Sequence, residues 1–126
     1  MKSVFCSYKY EDKKWKDTVE SWGNEGRLGH NVRITGESED VRQGGRNAMK
    51  DHIGPKLRGA SDVLVFVGDN THNSTGVEYE VQYAKSHGKN VIPVRIPGTA
   101  GAAPKSIREE SMVAFEPNAI KRALEK

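Results

Sequence analysis

The chain has a single cysteine, Cys6, so no disulfide bond can form within its 126 residues. This cysteine usage is typical of a reducing compartment. No apolar run approaches the roughly 18 residues that a membrane-spanning helix needs, and the amino terminus enters a strand pattern with no signal-peptide core before it. We therefore expect a soluble, cytoplasmic protein that makes no membrane contact and whose residues 1–126 form one domain.

The excess of positive over negative charge is also small. The net charge is +3, and most lysines and arginines are interleaved with acidic residues along the sequence. A nucleic-acid-binding surface needs basic side chains that cluster on one face, so this distribution argues against a nucleic-acid partner. A solvated surface of mixed charge explains the pattern better.

Four kinds of functional site lack their sequence signatures. No predicted strand is followed by a Gly-rich phosphate loop of the Walker or G-x-G-x-x-G type. The four histidines lie far apart and the cysteine is alone, so we predict no metal site. The G-x-S-x-G turn of a serine hydrolase is absent as well. A response-regulator receiver needs an acidic pair and a lysine where this chain has Ser7-Tyr8 and Glu116-Pro117.

Short apolar segments alternate with amphipathic ones through the whole chain. The first kind predicts strands near 3–7, 31–35, 62–68, 90–96 and 111–115. The second kind predicts helices near 11–25, 47–58, 75–87 and 117–124, with loops at 36–45 and 97–105. This alternation is typical of an α/β fold, a doubly wound, five-stranded parallel sheet in the flavodoxin-like order 2-1-3-4-5.

Glu80 follows the most apolar segment of the sequence and a polar loop. Just before it, Thr75 and Glu78 have the spacing of a capping box, in which each side chain satisfies an amide of the first helical turn. The helix predicted after this box would turn its apolar residues to the sheet and carry Glu80 on the flank of that stripe. Because Glu78 already has a capping role, a partly buried carboxylate at Glu80 indicates a function.

The predicted strand order brings the loops after strands one and three side by side. Ligands of open α/β sheets bind at this switch point, and the crevice can hold a nucleotide. The side chains expected to line it are Ser7, Tyr8, Asp12, Asp69, Asn70, Thr71, His72, Ser74 and Glu80. Structural roles stay open for three of them, since Asp12 could be a first-turn acid, His72 a loop hydrogen-bonder and Ser74 a helix cap.

Two blocks of the sequence resemble the TIR and TIR-like domain family. Phe5, Ser7, Tyr8 and Asp12 are similar to the opening F-x-S-[YF]-x-x-x-D pattern of that family. The strand 62–68 with the Thr, the Ser and the Val-Glu-Tyr-Glu helix start that follow it is similar to the bacterial branch that includes the Thoeris anti-phage sensor protein. The resemblance runs from residue 3 to about residue 96. One departure is Gly76, which stands where this branch usually carries a Trp.

The resemblance implies chemistry on NAD, as a substrate and not as a cofactor. In enzymatic TIR domains, the glutamate that matches Glu80 contacts the ribose next to nicotinamide and supports cleavage of the N-glycosidic bond. The chain would then be an NAD glycohydrolase or ADP-ribosyl cyclase with Glu80 as its catalytic residue. The substrate-binding residues would be Ser7, Tyr8, Asp12, Asn70, Thr71, His72 and Ser74. Implied partners are a second copy of the chain or a phage-derived trigger, and a downstream effector that responds to the nucleotide signal.

Two other functions stay open. The segment 76–84, followed by 88–92, is similar to the nucleophile helix of nucleoside deoxyribosyltransferases, which also act on N-glycosidic bonds. Alternatively, a TIR-like domain could be a non-enzymatic signalling or assembly module. Glu80 discriminates between the enzymatic functions and the assembly module, because an assembly module has no need of a partly buried carboxylate at this position.

Overall fold

The computed structural model describes residues 2–36 and 55–125, which form a four-stranded parallel sheet flanked by helices. The strands are β1 (Lys2–Ser7), β2 (Val32–Gly36), β3 (Asp62–Val67) and β4 (Asn90–Arg95). The helices are α1 (Lys13–Asn24), α2 (Pro55–Arg58), α3 (Thr75–Ser86) and α4 (Pro117–Leu124). Short 3-10 turns occupy Tyr10–Asp12, Thr71–Asn73 and Lys105–Ile107. The predicted α/β fold is confirmed.

The strands are arranged in the order β2-β1-β3-β4, which confirms the predicted order of the first four. All three pairings are parallel, with Cys6 opposite Gly36 and Ser7 opposite Val65. Because all four strands run in one direction, their carboxyl ends lie along the same edge of the sheet. The loops that follow the neighbouring strands β1 and β3 are therefore adjacent, as the switch-point rule requires.

Helices cover both faces of the sheet, which is why β3 is buried along its whole length and reads as a continuous apolar run. One face packs against α1 and α4, and its core includes Val4, Cys6, Leu64, Phe66, Val94, Ile120 and Leu124. The other face packs against α2 and α3, and its core includes Phe5, Leu57, Val63, Val65, Val77, Val81 and Ala84. Alternate residues of each strand thus belong to different cores.

The fifth strand expected at 111–115 is reduced to a single parallel bridge. The Arg95 amide donates to the carbonyl of Val113 at 2.9 Å, and the Val113 amide donates to the carbonyl of Pro93 at 2.8 Å. Strand pairing stops there because the Glu116 amide donates a hydrogen bond of 2.9 Å to the Ala114 carbonyl, and α4 begins at the next residue. The prediction of a fifth full strand is corrected accordingly.

Helix predictions at 11–25, 75–87 and 117–124 correspond to α1, α3 and α4, and their ends differ by the residue or two that is usual for helix boundaries. Of the helix expected at 47–58, residues 55–58 form α2, and the rest lies outside the described residues, as does most of the loop expected at 36–45. Across residues 2–36 and 55–125, no helix is long and apolar enough to cross a membrane.

Candidate functional site

Ser7 and Glu80 meet at the carboxyl end of β1. The hydroxyl of Ser7 donates a hydrogen bond of 2.6 Å to Oε1 of Glu80. Both side chains are buried, with Glu80 only 1% exposed. The short distance is typical of a hydroxyl that donates to a carboxylate. The predicted proximity of these two residues is confirmed, and the carboxylate is held in one position.

Each side chain reaches this point because of the element that carries it. Ser7 follows Phe5 by two residues in β1, so both side chains face α3. Glu80 lies three residues after Val77 and four before Ala84, and all three are buried. The sequence pattern predicts Glu80 on the flank of the apolar stripe. It lies within the stripe instead, because α3 packs against β1 as well as against β3 and β4.

Thr71 shapes the loop that follows β3. Its Oγ1 accepts a hydrogen bond of 2.8 Å from the Gly68 amide and donates one of 3.2 Å to the Phe66 carbonyl. Since Thr71 is only 1% exposed, its hydroxyl satisfies backbone groups that water cannot reach. Asn70 and His72, on either side of it, are exposed. Their predicted contacts with a substrate, like that of Thr71, stay predictions.

Helix α3 begins with a serine cap and not with the predicted capping box. The Oγ of Ser74 accepts a hydrogen bond of 3.2 Å from the Val77 amide. Glu78 accepts a hydrogen bond of 2.7 Å from the hydroxyl of Ser106, which ties α3 to a 3-10 turn. The predicted box is therefore wrong. Ser74 has the extended backbone that a cap requires, whereas Thr75 is already the first helical residue. Ser74 as a substrate contact stays a prediction.

Tyr8 lies on the other face of the sheet from Ser7. It is 2% exposed and belongs to the core beneath α1, where its ring centroid is 6.2 Å from that of Phe66. This placement follows from the alternation of side chains along an extended chain. The structure therefore does not bring Tyr8 next to Glu80, and its predicted contact with a substrate stays a prediction.

Asp12 immediately precedes α1, beside the loop after β3. A methyl group added at Gly68 would lie 3.5 Å from Oδ2 of Asp12. The loop after β1 and the loop after β3 are therefore within contact distance of each other. The pKa of the Asp12 carboxyl is raised, mainly by burial and further by the charges of Glu11 and Asp69. Asp12 is thus close to the carboxyl end of β3, and it makes no side-chain cap bond to α1.

The segment after β4 packs against the loop after β3, a contact that the sequence did not predict. The Ala100 amide donates a hydrogen bond of 2.9 Å to Oδ1 of Asp69. Gly101 approaches the same loop so closely that a Cβ there would lie 2.4 Å from the carbonyl oxygen of Gly68. The Gly- and Ala-rich composition of 97–105 was the available signal, but it indicates a loop without indicating what the loop packs against.

Within the described ranges, neither metal binding nor a reactive thiol is supported by the side chains present. Among residues 2–36 and 55–125, no group of three His, Cys, Asp or Glu side chains could hold a metal ion. The Cys6 thiol is free and fully buried, and burial raises its pKa from the usual 9.0 to about 12. A thiol with that pKa is protonated at neutral pH, which makes it a poor nucleophile.

Comparisons with known proteins agree with this fold and with the family resemblance of the sequence. A family model for the TIR-like domain of the Thoeris protein ThsB matches residues 5–101. The crystal structure of the TIR domain of the Toll-related receptor TRR-2 from the lower metazoan Hydra magnipapillata is similar, with a TM-score of 0.62, 14% identity, and coverage of 90% of this chain and 84% of that chain. At this identity the likeness shows the fold alone. No curated protein matches the sequence significantly.

Proposed function

The chain belongs to the Thoeris ThsB family of TIR-like domains, and on that basis we propose that it cleaves or cyclises NAD to make a nucleotide signal in cytoplasmic anti-phage defence. The observation that carries the proposal is the buried hydrogen bond of 2.6 Å between Ser7 and Glu80. It fixes a carboxylate at the carboxyl end of β1, at the switch point where open α/β sheets bind their ligands.

In the proposed reaction, the bond between C1′ of the ribose and the nicotinamide nitrogen breaks. Nicotinamide leaves as a neutral molecule with the bonding electrons, and positive charge develops on the ribose. The oxygen of a water molecule then bonds to C1′ and releases a proton, which gives ADP-ribose, or the adenine end of the same molecule attacks and gives a cyclic isomer. The Glu80 carboxylate stabilises the developing charge, because a fixed anion in a water-poor site acts most strongly when the charge appears.

Ser7 is proposed to position this carboxylate. Its hydroxyl restrains Oε1 of Glu80, so the anion is oriented before the substrate binds. The contact is buried, where a hydrogen bond is electrostatically stronger than in water. Asp12, Asn70 and His72, none of which is fully buried, are proposed to contact the rest of the nucleotide.

Partners follow from the same family membership. We propose that activity responds to self-association or to a phage-derived trigger, and that the nucleotide product acts on a downstream effector protein. The proposed catalytic group needs neither a metal nor a cofactor, because departure of nicotinamide requires only charge stabilisation at the ribose.

The experiment that tests the proposal is nicotinamide release from NAD by the wild type and by two glutamine variants. We expect Glu80→Gln to lower turnover by about a hundredfold, because the amide keeps the size of the side chain and loses its charge. Glu78→Gln is the matched control, two residues away on the same helix. Its amide oxygen can still accept the hydrogen bond from Ser106, so turnover should persist. A folded Glu80→Gln variant with full activity would refute the assignment.

The alternative functions give different results in the same assays. A wild-type protein that self-associates and activates a partner without consuming NAD would be an assembly module. A deoxyribosyltransferase-like enzyme would release free bases from deoxynucleosides instead of nicotinamide from NAD. The family match over residues 5–101 favours NAD as the first substrate to test.

A further inference from the structure

The carboxylate of Asp12 is available to a ligand. It makes no side-chain cap bond to α1, and within residues 2–36 and 55–125 it has no hydrogen-bond or ion-pair partner. The residue is nevertheless partly buried. A carboxylate withdrawn from water is costly unless donors satisfy its oxygens, and when ionised it can only accept hydrogen bonds. The position therefore suits a ligand that brings hydrogen-bond donors, such as the hydroxyl groups of a sugar.

Asp12 lies where the loop after β1 meets the loop after β3. A Cβ added at Gly68 would be 3.5 Å from Oδ2 of Asp12 and 3.7 Å from Oγ1 of Thr71. Gly68 follows Phe66 by two residues, so this contact is on the side of the sheet that α1 covers. Glu80 is on the side of α3. A ligand that reaches both carboxylates must cross the carboxyl edge between the two loops, as ligands at a switch point do.

The separation of the two carboxylates suits the two sugars of a dinucleotide. Ser7, which holds Glu80, pairs with Val65 in β3. Gly68, the neighbour of Asp12, is three residues farther along the chain, which corresponds to roughly 10 Å at about 3.3 Å per residue. A ribose at Glu80 and a second ribose at Asp12 would thus have room between them for the pyrophosphate that joins the two nucleosides.

The charge that surrounds Asp12 is negative overall. The pKa of Asp12 is raised mainly by burial, and also by the charges of Glu11 and Asp69. Lys9 and Lys14 lower this pKa, but Lys9 is already paired with Glu11 at 3.1 Å. Three acidic side chains thus act together with two basic ones. A phosphate group next to Asp12 would be repelled, whereas a neutral hydroxyl would not.

We propose that Asp12 binds the hydroxyl groups of the adenosine ribose and thereby makes the chain specific for NAD over NADP. The identity of the ligand rests on the proposed function. The two dinucleotides differ by one phosphate, which NADP carries on the 2′-oxygen of that ribose. In NAD this oxygen belongs to a hydroxyl that can donate to Asp12. In NADP it has no proton to donate, and the phosphate adds negative charge beside the carboxylate. An acidic side chain selects the free 2′-hydroxyl in the same way in dinucleotide-binding α/β folds of the Rossmann type.

The first test compares nicotinamide release from NAD and from NADP. We expect the wild type to have a kcat/KM at least about tenfold higher for NAD, which is the usual effect of a hydrogen bond to a charged group. Asp12→Asn should raise KM for NAD about tenfold with little change in kcat. It should also raise kcat/KM for NADP, because the amide has no charge and can donate to a phosphate.

Asp17→Asn is the matched control. It makes the same change of charge on α1, where Asp17 is exposed and paired with Lys13 at 3.3 Å, so the preference for NAD should be unaffected. Asp12→Asn should stay folded, because the Asp12 carboxylate has no partner in the described protein to lose, and urea unfolding checks this. Equal cleavage of NAD and NADP by the wild type, or an unchanged preference in Asp12→Asn, would overturn the assignment.

A second test does not depend on catalysis. Adenosine 5′-monophosphate, which has a free 2′-hydroxyl, and adenosine 2′,5′-bisphosphate are titrated into the isotope-labelled protein and followed by NMR. The monophosphate should shift the amides of Asp12 and Gly68 and bind at least about tenfold more tightly than the bisphosphate, and Asp12→Asn should remove this difference.

The two tests together separate the role of Asp12 from the proposed function. If the wild type cleaves NAD and binds the two nucleotides equally, the role of Asp12 is wrong and the function stands. If the wild type does not cleave NAD, the titration decides by itself. A preference for the monophosphate that Asp12→Asn removes would support the role of Asp12, and equal binding or absent shifts at Asp12 and Gly68 would overturn it.

Discussion

Ser7 and Tyr8 are consecutive in the chain and lie on opposite faces of the sheet. The hydroxyl of Ser7 donates to Glu80 on the side of α3. The ring of Tyr8 packs near Phe66 on the side of α1. Because side chains alternate between the faces of an extended chain, only the first of these two residues reaches the carboxylate. Substitutions at the two positions therefore separate a role at the site from a role in the core.

Ser7→Ala should reduce NAD turnover by roughly ten- to a hundredfold. The substitution removes the donor to a buried carboxylate, and a hydrogen bond to a charged group contributes about 1.5–3 kcal/mol. Steady-state rates of nicotinamide release give the measurement, taken well below the melting temperature because the variant also loses stability. Ser7→Thr keeps the hydroxyl and should recover part of the activity.

Tyr8→Phe is the comparison for Ser7→Ala. The ring stays in the core beneath α1, so we expect turnover to remain close to that of the wild type, with at most a modest loss of stability. A folded Tyr8→Phe variant without activity would mean that the phenol hydroxyl contacts the substrate after all. Full activity in Ser7→Ala would show that Glu80 does not depend on this donor.

How much of this site was predictable depends on what each feature requires. The contact between Ser7 and Glu80 depends on strand order and helical spacing, both of which leave periodic patterns in the sequence. The choice between Ser74 and Thr75 as the helix cap leaves no such pattern. Both residue types are good caps, and only the backbone conformation distinguishes them. The approach of Gly101 to the loop after β3 is a long-range contact with no periodic signature. The proximity of Ser7 and Glu80 was therefore predictable from the sequence, and the loops that surround them were not.

Ser74→Ala should destabilise the protein by about 1 kcal/mol, because the Val77 amide loses its side-chain acceptor at the start of α3. Thr75→Ala should change stability by less than about 0.5 kcal/mol, since Thr75 is exposed and already helical. Unfolding by urea measures both. Equal losses in the two variants, or a larger loss for Thr75→Ala, would argue that the capping box operates in solution.

Gly101→Ala should destabilise the protein by about 3 kcal/mol and lower turnover. Its Cβ would lie 2.4 Å from the carbonyl oxygen of Gly68 and 2.5 Å from that of Asp69, and backbone atoms cannot move away as a flexible side chain can. Overpacking of this kind typically costs about 1–3 kcal/mol. The loop after β3, which the new Cβ would displace, also borders Asp12. The crevice between this loop and the loop after β1 should therefore change shape. Urea unfolding and nicotinamide release give the two measurements.

Gly88→Ala is the control for this substitution. Gly88 has a φ of 72° and no atom within 4 Å of its Cβ position, so an alanine there meets only backbone strain. That strain costs about 1–2 kcal/mol. Because Gly88 follows the end of α3, turnover should be unaffected. A Gly101→Ala variant that behaves like Gly88→Ala in both measurements would show that the loop after β4 adapts without consequence.

Cys6 should make the protein sensitive to alkaline pH. Its pKa is about 12 in the folded state and 9.0 when exposed, so above pH 9.0 the unfolded chain releases the thiol proton while the folded chain keeps it. Ionisation then favours unfolding, and stability falls as pH rises from 9.0 toward 12. The contribution is about 1.4 kcal/mol for each pH unit in this window.

Cys6→Ala isolates that contribution from the titration of lysines and tyrosines, which both proteins share. At about pH 8 the variant should be less stable than the wild type, because the alanine leaves a small cavity in a fully buried position. Between about pH 8 and about pH 10 the gap between the two proteins should narrow by roughly 1.4 kcal/mol, since only the wild type loses stability through the thiol. Urea unfolding at the two pH values gives the comparison. A gap that stays constant would mean that the thiol ionises equally easily in the folded and unfolded chains, and rapid alkylation of the folded wild type at neutral pH would lead to the same conclusion.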